Sequence, residues 1–131
     1  GDNGAATNAR LNAPSGVAVD SVGNIFVADE ENNRIRMVST AGVITTVAGN
    51  GSSSFSGDGG AATSAGMRNP YGVAIDSAGN LFIADSGNAR IRKVSTAGVI
   101  TTVAGNGFAG YSGDGNAATS ASLRYPTTFA K

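Results

Sequence analysis

Cysteine and histidine are both missing from this 131-residue chain. Without cysteine there is no disulfide framework and no thiolate metal site, although the compartment stays open. Without histidine the usual general base and the commonest transition-metal ligand are gone. Charged residues make up only 14 %, with nine basic balancing nine acidic. No net field exists to draw in nucleic acid or an anionic membrane. No apolar run reaches the roughly 18–20 residues of a membrane span, and no signal peptide is visible. The chain opens and closes in mid-motif, so a segment of a longer protein is expected.

What the chain does have is glycine, 20 residues of it, within a composition that is 40 % hydrophobic. That mixture suits many short strands joined by tight turns and is too apolar for disorder. It is also repetitive. Gly1 to Ser56 aligns without a gap on Gly57 to Ser112, and the two units differ at Asn3, Asn8 and other scattered positions, mostly conservatively or in loops. A third copy begins at Gly113 and stops at Lys131. A fixed period of this kind signals a solenoid or propeller, in which one unit cannot bury its own apolar faces.

Each unit predicts four short strands. In the first they are Gly16 to Asp20, Ile25 to Asp29, Arg34 to Ser39 and Val43 to Ala48. Turns at Val22-Gly23-Asn24 and Thr40-Ala41-Gly42 and a polar loop at Glu30 to Asn33 separate them. The organisation expected is a connector at 1–15, a blade at 16–48, a connector at 49–71, a blade at 72–104, a connector at 105–126 and a first strand of an incomplete third blade at 127–131. Within the connector, Ala61, Ala62, Ala65 and Met67 suggest a short helical turn.

The strands are apolar on both faces. Val17 and Val19 point one way and Ala18 the other, while Ile25 and Val27 oppose Phe26 and Ala28. A sheet with one wet side should alternate apolar with polar. The fold class expected is therefore all-β, with four-stranded antiparallel meanders stacked as β-propeller blades. A parallel β-helix competes, but its rungs are shorter and lack these hairpin turns.

Pro14, Gly16-Val17-Ala18-Val19-Asp20, Gly23-Asn24-Ile25-Phe26-Val27-Ala28-Asp29 and Asn32-Asn33-Arg34-Ile35 together resemble the NHL repeat. The second unit resembles it through Pro70, Gly72, Asp76, Gly79-Asn80, Asp85, Asn88 and Arg90. The resemblance implies four-stranded blades, commonly six in a ring, used chiefly as interaction platforms. The long Gly-rich connector resembles the variant found in large bacterial proteins, many of them exported or surface-associated.

Several residues are candidates for chemistry. The repeated pairs Asp29/Arg34 and Asp85/Arg90 are expected to be structural, each aspartate capping the turn between the second and third strands and each arginine pairing with it or with a neighbouring blade; a ligand-binding acid–base pair is the alternative. Asp20 and Asp76 are read as turn formers. Asp2, Asp58 and Asp114 recur in the connectors; a calcium site would need six to eight oxygens, which one carboxylate per connector does not supply. Ordering of the loop is the preferred reading for Asp58 and Asp114, with ligand binding as the alternative. Phe55 and Tyr111 sit at equivalent connector positions and either pin the connector to a blade or form a glycan site between blades. Arg34, Arg36, Arg90, Arg92 and Lys93 cluster on one strand per unit, but zero net charge argues against a nucleic-acid platform.

No cofactor is expected, and an enzyme is not. The related enzymes use histidine or inward acidic residues, whereas glutamate occurs here only at Glu30 and Glu31. The expected function is a repeat scaffold for protein–protein interaction or assembly, outside the cell or at its surface. Its partners would be further blades of a parent chain or other copies. A carbohydrate-binding propeller is the alternative.

Overall fold

The computed structural model describes residues 1–127. The first sheet contains β1 (Gly4–Ala5), β2 (Pro14–Val19), β3 (Ile25–Asp29), β4 (Arg34–Val38) and β5 (Val43–Ala48), in the order β1-β5-β4-β3-β2. The second holds β6 (Pro70–Ile75), β7 (Leu81–Asp85), β8 (Arg90–Val94) and β9 (Ile100–Ala104), in sequence order. Every strand pairing within the two sheets is antiparallel; the second sheet is a plain four-stranded meander, and the first is the same meander with β1 added beside β5. The all-β reading of two blades holds. The strand expected at 127–131 lies, from residue 128 onward, outside the described residues.

Local chemistry explains the turns. The Asp20 carboxylate accepts the backbone N–H groups of Val22 and Asn24 and the Asn24 side-chain amide, closing the first hairpin around Gly23 at φ +98°. Asp76 repeats this with Ala78 and Asn80. These bonds, led by that from the asparagine side chain, hold both carboxyls below the ordinary carboxylate value. Between β3 and β4 a single 3₁₀ turn, Glu30–Asn32, ends on Asn33 in the left-handed region. In the second blade Ala89 occupies that conformation at φ 51°, a costly setting for a residue with a Cβ.

The core lies between the two sheets. Phe26, Ala28, Val73, Leu81 and Ile83 are buried in it, with Ala18, Met37 and Ile75 packed alongside. β2 lies along β6 with no room to spare. A Cβ on Gly16 would sit 2.7 Å from the Tyr71 carbonyl oxygen and 2.9 Å from Gly72 Cα. Ser15 Oγ donates to the same Tyr71 carbonyl at 2.7 Å.

The connectors are ordered and cross from one sheet to the other. Residues 57–62 run along the rim of β9, where Ala61 bridges Val99 and Gly59 and Ala62 donate to Ile100 and Gly98 carbonyls. β1 does the same on β5, pairing Ala5 with Val43. A 3₁₀ turn at Ala62–Ser64 then reaches back, the Ala62 carbonyl and that of Ala65 just after the turn accepting from Gly49 and Asn50 past the end of β5. The short helical turn expected near Ala62 is thus present, as 3₁₀. Ala62 within it, and Ala65 and Met67 just beyond it, are buried.

Candidate functional site

The polar centre of each blade is a carboxylate–guanidinium–carboxylate cluster. In blade 2 Arg92, wholly buried, reaches Asp85 Oδ2 with Nη1 at 3.0 Å and Asp58 Oδ1 with Nη2 at 2.9 Å. Its Nε also donates to Asp58 Oδ1, and Nη1 and Nη2 donate further to the Gly66 and Ser56 carbonyls. Asp85 also accepts from Asn88 Nδ2 and the Arg68 backbone N–H, and Asp58 accepts Thr102 Oγ1 at 2.6 Å. Blade 1 repeats the cluster with Arg36, Asp29, Asp2 and Thr46. Among the described residues no buried side-chain nitrogen or oxygen lacks a partner.

This corrects the expected pairing of Asp29 with Arg34 and Asp85 with Arg90. Arg34 and Arg90 do sit directly across the ladder from those aspartates. The carboxylates nonetheless go to the next arginine on the same face, two residues along, a diagonal cross-strand neighbour. Nor do Asp29 and Asp85 cap the 3₁₀ turns that follow them with a side-chain bond to the backbone. Arg34 instead donates to the carbonyls of Asn32 and Asn50, and Arg90 to those of Asn88 and Asn106. The signal that marks Arg36 and Arg92 is a spacing: Asp2 and Asp58 each precede their arginine by 34 residues.

Burial pushes the Asp85 carboxyl above its ordinary value, against the bonds from Asn88, Arg68 and Arg92 that pull it down. For Asp2 burial works in the same upward sense, but hydrogen bonds from Thr46 and Arg36 outweigh it and the carboxyl is held low.

The two connector aromatics part company. Phe55 lies under Arg90, whose guanidinium carbon is 3.6 Å from the ring centroid, with Arg92 at 4.8 Å. Its ring thus pins the connector onto blade 2. Tyr111 touches no arginine of a blade; it is 86 % exposed and donates to Asp114 Oδ2 at 2.5 Å. That bond holds the phenol above its ordinary value. Asp58 is engaged by Arg92 and Thr102, while Asp114 is met by Tyr111. Among the described residues no group of three or more acidic side chains is placed to hold a metal ion.

A cleft of about 250 Å³ opens on blade 1, walled by Gly1, Asp2, Asp29, Asn32, Arg34, Arg36 and Thr46. It lies on the face that corresponds to the one Phe55 covers in blade 2. Chemically it offers two guanidinium groups over which a flat ring can stack, beside carboxylates that fix their orientation.

Comparison with known proteins places this geometry. The chain is 35 % identical over 103 residues to mouse Teneurin-1, covering 69 % of this chain and 4 % of that protein. Among solved structures, a Bacteroides thetaiotaomicron protein of unknown function superposes with a TM-score of 0.78 at 22 % identity, covering 92 % of this chain and 31 % of that one. A streptogramin B lyase superposes with a TM-score of 0.57 at 16 % identity, over 84 % of this chain and 34 % of the other. At such identities the structural likeness establishes the propeller fold alone. Residues 1–55 and 51–112 each match the Teneurin NHL domain, and the chain belongs to that family.

Proposed function

We propose that the chain is a non-enzymatic scaffold whose blades present apolar faces to protein partners, as part of a larger or oligomeric propeller. One comparison carries the reading. Val17 is 64 % exposed, whereas its counterpart Val73 is 6 % exposed because blade 1 lies against it; Ile25 and Leu81 differ likewise, 38 % against 4 %. The same side chains are therefore satisfied wherever a neighbouring blade is present. Burying a valine or isoleucine contributes about 1.5–3 kcal/mol each, so covering Val17, Val19 and Ile25 favours association strongly.

The absence of histidine and the engagement of the buried carboxylates by arginine support the non-enzymatic reading. An extracellular or cell-surface setting belongs to the same proposal. A glycan-binding role has less behind it, since Phe55 is stacked on Arg90 and only Tyr111 stays open. Light scattering on the chain and on Val17→Lys tests the proposal. Concentration-dependent association lost in the variant is expected. A chain that stays monomeric at every concentration, with the variant indistinguishable, overturns it.

A further inference from the structure

One dipeptide recurs where each blade hands over to its connector, Asn50-Gly51 after β5 and Asn106-Gly107 after β9. Both asparagines are held alike. Asn50 Oδ1 accepts the Ser52 backbone N–H at 2.8 Å, and its Nδ2 donates to the Ser64 carbonyl at 3.1 Å. Asn106 Oδ1 accepts the Phe108 backbone N–H at 2.9 Å, and its Nδ2 donates to the Ser120 carbonyl at 3.2 Å. Ser64 and Ser120 close the 3₁₀ turns of the two connectors, so each asparagine ties the end of a blade to the turn that follows it.

The same turn sets an electrophile beside a nucleophile. An asparagine oxygen bonded to the N–H two residues on closes a ring of atoms that contains both Asn50 Cγ and the Gly51 nitrogen. The N–H at Oδ1 draws charge onto that oxygen, as an oxyanion hole does, and leaves Cγ open to attack. Among the described residues the Gly51 and Gly107 N–H groups meet no acceptor. Both glycines lie at φ +91°, and a Cβ would meet the Arg34 guanidinium at 2.6 Å or that of Arg90 at 2.7 Å. Only glycine fits there, and no side chain shields its nitrogen. A guanidinium so near also favours the deprotonated amide, which is the attacking form. Asn50 is exposed with blade 2 following it, and Asn106 is partly exposed with blade 1 preceding it, so water reaches both.

We propose that Asn50 and Asn106 are sites of spontaneous modification, deamidating in the folded protein to aspartate and isoaspartate. The Gly51 nitrogen attacks Asn50 Cγ; the N–Cγ bond forms, the Cγ–Nδ2 bond breaks, and the amide proton leaves on the departing ammonia. Water then opens the succinimide. Addition at Cγ gives aspartate, and addition at the Asn50 backbone carbonyl carbon gives isoaspartate, whose main chain runs through the former side chain. Nothing is oxidised or reduced. Gly107 and Asn106 follow the same course. Neither product keeps the Nδ2 donors, so the tie to Ser64 or Ser120 is lost and the connector loosens from its blade. Asparagine supplies both halves of the tie and glycine alone fits beside the arginine, which makes the reactive pair inseparable from the turn. Each unit thus carries a one-way timer on its rim.

Peptide mapping by mass spectrometry, with isoaspartyl methyltransferase labelling, follows the reaction in the unaltered chain kept in warm, mildly alkaline buffer. Aspartate and isoaspartate should accumulate at Asn50 and Asn106 at least as fast in the folded chain as in urea, and the aged chain should unfold at a lower temperature. Arg34→Gln should slow Asn50 about tenfold, the lower end of what one adjacent cation does to an acid, and leave Asn106 unchanged. Arg90→Gln should do the reverse. A turn merely loosened by the substitution would react faster, so the sign separates activation from damage. Slower conversion in the folded chain than in urea overturns the proposal, and that comparison needs no variant. An unchanged or raised rate at Asn50 in Arg34→Gln overturns it as well, and so does an aged chain that keeps its unfolding temperature.

Discussion

Arg92 Nη1 lies 3.0 Å from Asp85 Oδ2, and neither side chain has any solvent exposure. The pair is the middle of a chain of contacts that runs from β7 through β8 to the connector at Asp58 and out to Thr102 on β9. Both ions lie out of water, so the energetics of removing either partner are those of an uncompensated buried charge.

Asp85→Ala is accordingly expected to destabilise the protein by about 3–5 kcal/mol, leaving Arg92 short of its buried partner. Asp58→Ala should cost less, about 1–3 kcal/mol, because its carboxylate is partly exposed and the Asp85 bond remains. Urea denaturation of the two variants checks the order. A larger loss for Asp58→Ala would contradict the central role of the buried pair.

The carboxylates of blade 2 should titrate on opposite sides of the ordinary value. Asp76 is held low by Asn80, so its contribution to stability is full above the unfolded value near 3.8 and is lost as pH falls through its folded value. Asp85 is pushed up by burial, so its contribution is full below 3.8 and is lost as pH rises through its folded value. Carboxyl carbon NMR resolves the two. Asp85 titrating below Asp76 would refute the assignment.

Ala89→Asn is expected to stabilise the protein by about 0.5–1 kcal/mol, since asparagine tolerates positive φ better than alanine. Blade 1 already carries Asn33 there at φ 54°, with its side-chain oxygen accepting the Asn69 backbone N–H. The thermal midpoint of the variant, measured beside the parent chain, should rise.

Gly16→Ala should destabilise by about 2 kcal/mol, because the new methyl meets backbone atoms of Tyr71 and Gly72 rather than a side chain that can turn away. Denaturation midpoints report it. An unchanged midpoint would mean that the two sheets are free to separate at this edge.

The strands were legible because their information is local. Alternation of Val17, Ala18 and Val19, and an Asp-x-x-x-Asn bracket closing each hairpin, place β2 and β3 without help from distant residues. The choice between Arg34 and Arg36 was not legible, since both lie on one face and period-two alternation cannot rank them. What decides it is Asp2, which arrives from outside the sheet. The path of the connector was hidden for the same reason. Its Gly, Ala and Ser residues carry no period, and its anchors are backbone bonds such as Ala62 to Gly98. Likewise the stacking of Phe55 on Arg90 depends on the blade that follows it, something no local pattern records.

The absent side chain at Gly16 has a geometric consequence. Where β2 meets β6, backbone touches backbone, while deeper in the joint Phe26, Met37 and Ile83 hold the sheets apart. Such a joint is a wedge, thin at one border and thick at the other, and its taper sets the angle through which each unit turns from the last. The number of units completing a circle is then a matter of side-chain volume, and one methyl group at the thin border would flatten the curve toward a larger circle.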